Sequence, residues 1–149
     1  MKNVGMVDVG KKAKTKRTAK AQAFIELNKE ILIRIGNNDI PKGNVLEIAR
    51  TAGILAAKNT SHLIPLCHNI ELEYADVAFI FRNNGILINS TIRTTSKTGV
   101  EMEAMTACSI AALTIYDMCK MFSKSIEIRE VYLIEKRGGR SGIYRRMSR

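Results

Sequence analysis

The hydrophobic and polar positions of the chain change period several times, and each change marks an element. Residues 18–27 alternate Ala19, Ala21, Ala23 and Ile25 with Lys20, Gln22, Phe24 and Glu26. That is the period-2 pattern of a strand, although so much alanine also suits a helix. Residues 28–35 read as a short helix that stops at the turn Gly36-Asn37-Asn38-Asp39. A second turn, Ile40-Pro41-Lys42-Gly43-Asn44, leaves Asn44 to cap the next helix. This helix covers 45–62, burying Leu46, Ala49, Gly53, Ala56 and Ala57 and exposing Glu47, Arg50 and Lys58, and Pro65 ends it. Alternation returns at 70–82 and 86–94, on either side of the hairpin signal Asn83-Asn84-Gly85. It returns once more at 126–136, with Ile126, Ile128, Tyr132 and Ile134 on one face and Glu127, Arg129, Val131 and Leu133 on the other. A weak alternation at 6–9 predicts an edge strand, followed by a basic loop at 11–17. The order strand, helix, strand, strand, helix, strand predicts an α+β fold of the ferredoxin-like split βαβ kind, an antiparallel sheet with helices packed on one face.

Residues 97–120 differ from the rest. Their interior carries almost no charge and much alanine, which predicts a buried helix begun at Thr98 and Gly99 and able to approach a neighbour closely. Acids and bases stand only at its ends: Glu101 and Glu103 at one, Asp117 and Lys120 at the other. The first two acids suit the positive end of a helix dipole; Asp117 lies at the end where a negative charge is disfavoured. Lys120, three residues on, shares its face and can hold it charged. Glu103 and Asp117 are fourteen positions apart, hence aligned to within 40° but separated by ~21 Å along a straight helix. If both serve one pocket, two copies of the chain must contribute.

Composition narrows the class. A chain of 149 residues suits one domain, 1–149, with the basic segments 1–16 and 138–149 expected to be partly flexible. No apolar run approaches the ~20 residues of a membrane span, and the first residues lack a signal peptide's apolar stretch. Three cysteines, two of them on the expected helix, fit reduced thiols in a cytoplasm better than disulfides. The net charge of +10 is concentrated at the ends: residues 1–20 and 136–149 together carry +12, leaving 21–135 at −2. Such ends suit phosphates, although most of these side chains, Lys12 among them, read more simply as solvated charge.

The candidate chemistry is acid–base. Cys67-His68 follows a turn, with His62 nearby, but no CxxC or HxxxH is present and zinc needs three or four convergent ligands, so no metal is expected. No Gly-x-Ser-x-Gly elbow supports a nucleophilic serine. Gly138-Gly139-Arg140-Ser141-Gly142 could offer backbone N–H groups to phosphate but lacks P-loop spacing. His68 gains weight from Lys42, Lys97, Glu101, Glu103, Asp117, Lys120 and Lys136, because clustered Lys, Asp and His can trade protons.

Four stretches go further: Met6-Val7-Asp8-Val9, Leu63-Ile64-Pro65-Leu66-Cys67-His68, Lys97-Thr98-Gly99-Val100-Glu101-Met102-Glu103-Ala104, and Leu113-Thr114-Ile115-Tyr116-Asp117-Met118-Cys119-Lys120. Together they resemble the motifs of the cyclic pyranopterin monophosphate synthase family, protein C of molybdenum-cofactor biosynthesis, in order from about Met6 to Gly142. The resemblance implies a ferredoxin-like subunit in a homohexamer, a trimer of dimers with active sites at dimer interfaces. It implies rearrangement of a nucleotide-derived triphosphate, a cyclic dihydroguanosine triphosphate, with release of diphosphate and without a cofactor. By position in the motifs, Asp117 is the implied catalytic aspartate. Lys42 and Lys120 are implied as proton shuttles beside it. Leu66, Cys67, His68, Met102 and Glu103 are implied substrate contacts, and Glu101, Arg17 and Lys136 match further charged pocket positions. The sequence departs from the family pattern at Ser96 (usually Gly), Asn69 (usually Pro) and Arg140 (often Lys), none of which removes a catalytic group.

Two other classes compete. A nucleic-acid-binding sheet would display aromatics for stacking, and the strands offer only Tyr74, Phe79, Phe81 and Tyr132, with no Arg/Lys-Gly-Phe run. A purely structural subunit sits badly with the charged ends of the central helix. No nucleic-acid or membrane partner is expected.

Overall fold

A computed structural model describes residues 3–147; residues 1–2 and 148–149, parts of the two basic ends, lie outside the described residues. The chain forms β1 (Thr15–Glu26), α1 (Lys29–Gly36), α2 (Val45–Lys58), the single turn α3 (Thr60–Leu63), β2 (Tyr74–Arg82), β3 (Gly85–Ser96), α4 (Glu101–Cys119), β4 (Glu127–Arg137) and β5 (Tyr144–Arg145). The strands make one sheet in the order β2-β3-β1-β4-β5, and every pairing is antiparallel. Because β1 and β2 each run antiparallel to β3, which lies between them, they are parallel to each other, the arrangement of a split βαβ unit.

Alternation in β1 is resolved as strand despite its alanines. Ala19, Ala21, Ala23 and Ile25 are fully buried towards the helices, whereas Gln22, Phe24 and Glu26 lie on the other face, only half-buried. The small side chains let α4 lie close on the sheet, where Ala104, Ala107, Ala111 and Ala112 are fully buried. α2 covers another side of α4. The sheet and α2 cover two sides of α4, while Met102 and Leu113 keep an uncharged side of the helix partly exposed. At the crossing, a Cβ on Gly53 would lie 2.8 Å from the Ala107 carbonyl oxygen and 3.0 Å from Val77, a spacing that only glycine allows. Ile25, Ile88, Ile92 and Ile115 fill the remaining layer, each burial stabilising by ~1.5–3 kcal/mol.

Several boundaries differ from the pattern-based expectation. Residues 6–9 are not a strand; the Val7 carbonyl meets the His68 ring and the Val9 carbonyl accepts the Lys12 backbone N–H. β1 begins at Thr15, so Arg17 belongs to it rather than to a loop. The 45–62 helix breaks at Asn59, and β2 starts only at Tyr74. β5, inside the basic C-terminal segment, went unforeseen because two residues carry no period. The alternation of β4 fails for a physical reason. Its pairing with β1 shifts register twice, and Glu130 adopts φ 57° at the first shift. A bulge inserts a residue and exchanges the faces beyond it. Val131 and Leu133 therefore join Ile128 against the core, and Tyr132 turns outward to accept a hydrogen bond from Gln22 at 2.6 Å. The second shift turns Lys136, opposite Ala19, towards α4.

Candidate active site

α4 starts at Glu101 with Val100 at the N-cap, and no side chain caps it. Thr98, expected in that role, instead donates its backbone N–H to Ser96 Oγ at 3.5 Å. The first-turn N–H groups thus keep their positive character, and both acids of this end gather there. Glu101 accepts Lys136 Nζ at 2.5 Å, which the second register shift in β4 brings within reach. Glu103 is only 4% exposed. Burial, and secondarily the charge of Glu101, pushes its carboxyl above the usual range, against a backbone hydrogen bond that lowers it.

A cavity of about 410 Å³ at this end is lined by Leu66, Cys67, His68, Glu101, Met102 and Glu103 together. The irregular N-terminal segment supplies another part of its wall, through Val7, Val9 and Lys12. Two long-range hydrogen bonds hold that segment down: His68 Nε2 lies 2.7 Å from Val7 O, and Lys97 Nζ donates to Gly10 O at 2.8 Å. The Cys67 thiol is held above its ordinary range by partial burial first and the Glu103 charge second, so it is a neutral contact rather than a thiolate nucleophile. A neighbouring cavity of about 490 Å³ shares Glu101 and gathers Arg17, Lys136, Lys12 and Arg140. Arg17 Nε and Nη2 donate to the carbonyls of Ser96 (3.4 Å) and Lys97 (3.2 Å), which fix its guanidinium at the cavity wall.

At the far end of α4 the arrangement is open. Asp117 Oδ1 accepts Lys120 Nζ and Oδ2 accepts Lys42 Nζ, both at 2.7 Å. Lys42 also donates to the Asp117 carbonyl at 3.0 Å, satisfying one of the orphan acceptors at the helix terminus. The two ammonium groups, Lys120 foremost, hold the Asp117 carboxyl down to about 2, and the Lys120 ammonium is held above its usual range in return. The expected pair is therefore a cluster of three. The acid disfavoured by the helix dipole is compensated by two cations, one from the turn after α1.

The structure thus brings together eight of the eleven expected site residues at one end of α4 and the other three at the opposite end. The fourteen residues from Glu103 to Asp117 span ~21 Å of one continuous helix. A larger concavity of about 640 Å³ lies elsewhere, against Ile54, Lys58 and residues 69–75, and holds none of the expected catalytic groups. Among the described residues, no group of three or more His, Cys, Asp or Glu is placed to hold a metal ion. Among the described residues no helix is long and apolar enough to cross a membrane.

The chain matches the MoaC family over residues 6–139. It is 51% identical to the cyclic pyranopterin monophosphate synthase of Thermoanaerobacter pseudethanolicus over 143 residues, covering 95% of this chain and 90% of that protein. The enzyme of the same name from Listeria welshimeri is 53% identical over 145 residues, covering 97% and 91%. That from Geobacillus kaustophilus is 48% identical over 145 residues, covering 95% and 90%. The chain belongs to the MoaC family.

In this MoaC chain the strand aromatics lie in different surroundings, with Phe81 exposed. Arg93 lies 4.0 Å over the Tyr74 ring and Arg146 4.1 Å over Tyr132, while Phe79 packs against the core. Sequence reasoning undervalued Lys12, treated as solvated charge, which lines both cavities of the closed end. It also missed Val7 and Val9, whose part comes from backbone carbonyls and wall surface and leaves no side-chain signal.

Proposed function

We propose that this MoaC chain is a cyclic pyranopterin monophosphate synthase. It converts (8S)-3′,8-cyclo-7,8-dihydroguanosine 5′-triphosphate to cyclic pyranopterin monophosphate with release of diphosphate, as a lyase using general acid–base catalysis. The observation that carries this reading is the Lys42–Asp117–Lys120 cluster, two lysines each bonded to one carboxylate oxygen of Asp117 and half-open to solvent. Opening and reclosing rings requires protons delivered to and taken from defined atoms. With its carboxyl near 2 in the resting cluster, Asp117 is a weak base, and the lysines carry the protons available for donation. An anionic substrate that draws Lys42 or Lys120 away from Asp117 would raise the proton affinity of the carboxylate, so binding itself readies the base.

The closed end supplies recognition. Leu66, Cys67, His68, Met102 and Glu103 present a mixed apolar and polar wall suited to a flat heterocycle. Arg17 and Lys136 take phosphate oxygens, where cations stabilise the charge that develops as diphosphate leaves. No cofactor is required. Since one helix keeps the two ends ~21 Å apart, a complete site needs the open end of one copy against the closed end of another, as in a homohexamer built from dimers. The test is turnover of the purified protein on the cyclic dihydroguanosine triphosphate, followed by diphosphate release and an oxidisable, fluorescent pterin product. Absence of both in folded protein contradicts the proposal.

A further inference from the structure

Of the four cations lining the cavity that holds Arg17, two are held by the protein in different ways. Lys136 is already neutralised by Glu101 at 2.5 Å. Arg17 has no carboxylate partner among the described residues; its guanidinium is held only by the carbonyls of Ser96 and Lys97. Those bonds occupy Nε and one Nη2 hydrogen and leave the Nη1 edge of the fork unspent. That edge lies against the turn after β4, over Gly139, which adopts φ +80°. A Cβ at Gly139 would overlap Arg17 Nη1 and stand 2.7 Å from its Cζ. The preceding Gly138, at φ +96°, differs: a Cβ there would overlap the Lys16 carbonyl oxygen, a backbone atom that cannot swing aside. Gly138 therefore closes the turn, whereas the space above Gly139 is filled by the charged end of a flexible side chain.

We propose that Gly139 is a positioning residue for Arg17. Its missing side chain leaves the floor on which the guanidinium rests, and this fixes a cation without a carboxylate partner at the wall of the cavity. The inference rests on the reading of this cavity as the phosphate subsite. Adding one methyl group at Gly139 displaces the guanidinium from its carbonyl pair. The fold should tolerate this, because the atoms that must move belong to a side-chain terminus.

The turn provides its own control. Gly142 has φ +69°, nothing lies within 4 Å of the position of its Cβ, and its N–H is spent on Gly139 O. Gly142→Ala thus carries comparable backbone strain without touching Arg17. The experiment measures inorganic tripolyphosphate binding by calorimetry, and KM and kcat with the cyclic triphosphate, for Gly139→Ala, Gly142→Ala, Arg17→Ala and the Arg17→Ala/Gly139→Ala double variant. Loss of a charge-assisted contact predicts about tenfold weaker tripolyphosphate binding and a similarly raised KM for Gly139→Ala, with kcat less affected. Gly142→Ala should change either by less than about twofold, and so should Gly139→Ala in the Arg17→Ala background. Gly139→Asn, which accepts positive φ more readily, should reproduce Gly139→Ala. The inference is overturned by an equal effect of Gly139→Ala with and without Arg17, by an effect no larger than that of Gly142→Ala, or by failure of both Gly139 variants to fold. Absence of any Arg17-dependent change in either readout overturns it as well. If tripolyphosphate binding follows the pattern while the wild-type protein turns over no cyclic triphosphate, the functional reading fails and the positioning role stands.

Discussion

The two ends of α4 hold acids in opposite states, although both belong to the same helix. At the closed end Glu103 is buried under the N-terminal segment, and desolvation pushes its carboxyl up. At the open end Asp117 keeps 54% of its side-chain surface exposed, and two ammonium groups draw its carboxyl down to about 2. Burial favours a neutral acid that can donate, and ion pairing favours an anion that organises cations. The difference teaches that chain position relative to the helix dipole decides little here. The acid at the favourable end is driven towards neutrality, and the acid at the unfavourable end is the firmly ionised one.

The most severe way to break this comparison is to remove the charge at the open end. Asp117→Asn keeps the volume but not the anion, and should lower kcat by ~10²-fold or more in protein that still folds and binds substrate. Near-normal turnover would show that the three-membered cluster is an ornament of the helix end. Between the two ends, Gly53→Ala forces the Ala107 carbonyl and Val77 to give way, and should cost about 1–3 kcal/mol of stability in denaturant melts. Activity per folded molecule should survive, since neither end is touched. At the closed end, Lys136→Ala leaves Glu101 unpaired in the cavity proposed to take phosphate. KM should rise about tenfold with a smaller change in kcat; a fall in kcat alone would argue against a phosphate role.

The smallest effects concern the titrations. The depressed carboxyl of Asp117 contributes stability that is present above the ordinary carboxylate range and is lost as pH falls towards about 2. A carboxyl-carbon NMR titration should find its midpoint near 2, and a midpoint near 4 would mean that the lysines do not hold it in solution. Glu103 has the opposite sign. Its raised carboxyl keeps a proton that the unfolded chain has lost, so stability declines as pH rises through that window. Glu103→Gln should remove this slope and melt no lower than wild type at neutral pH.

Much of the fold was legible because side-chain period reports which faces are buried. The β1 alanines and the hairpin sequence Asn83-Asn84-Gly85, whose turn is Asn83-Asn84, signalled their environment correctly. The misreadings have local causes. Two register shifts in β4 exchange faces without any change in composition, and they decide where Lys136 points. Thr98 has the right chemistry for an N-cap, yet the helix begins two residues later behind an uncapped Val100. In the site, the eleven candidates came from motifs and the structure sorted them into two groups. That Lys42 would join Asp117 and Lys120 came from the family resemblance alone, because side-chain period carries no information on residues 75 positions apart. The support given by Val7 and Gly10 runs through carbonyl oxygens, which every residue carries.

The central claim is that one working site takes its closed end from one copy and its open end from another. It is tested most directly by mixing two inactive proteins, Glu103→Ala and Asp117→Ala, after subunit exchange has been verified by mass-tagged copies. A mixed dimer then holds one site with both lesions and one with neither, so random pairing should restore about a quarter of wild-type turnover. No recovery in demonstrably mixed assemblies would contradict the shared site.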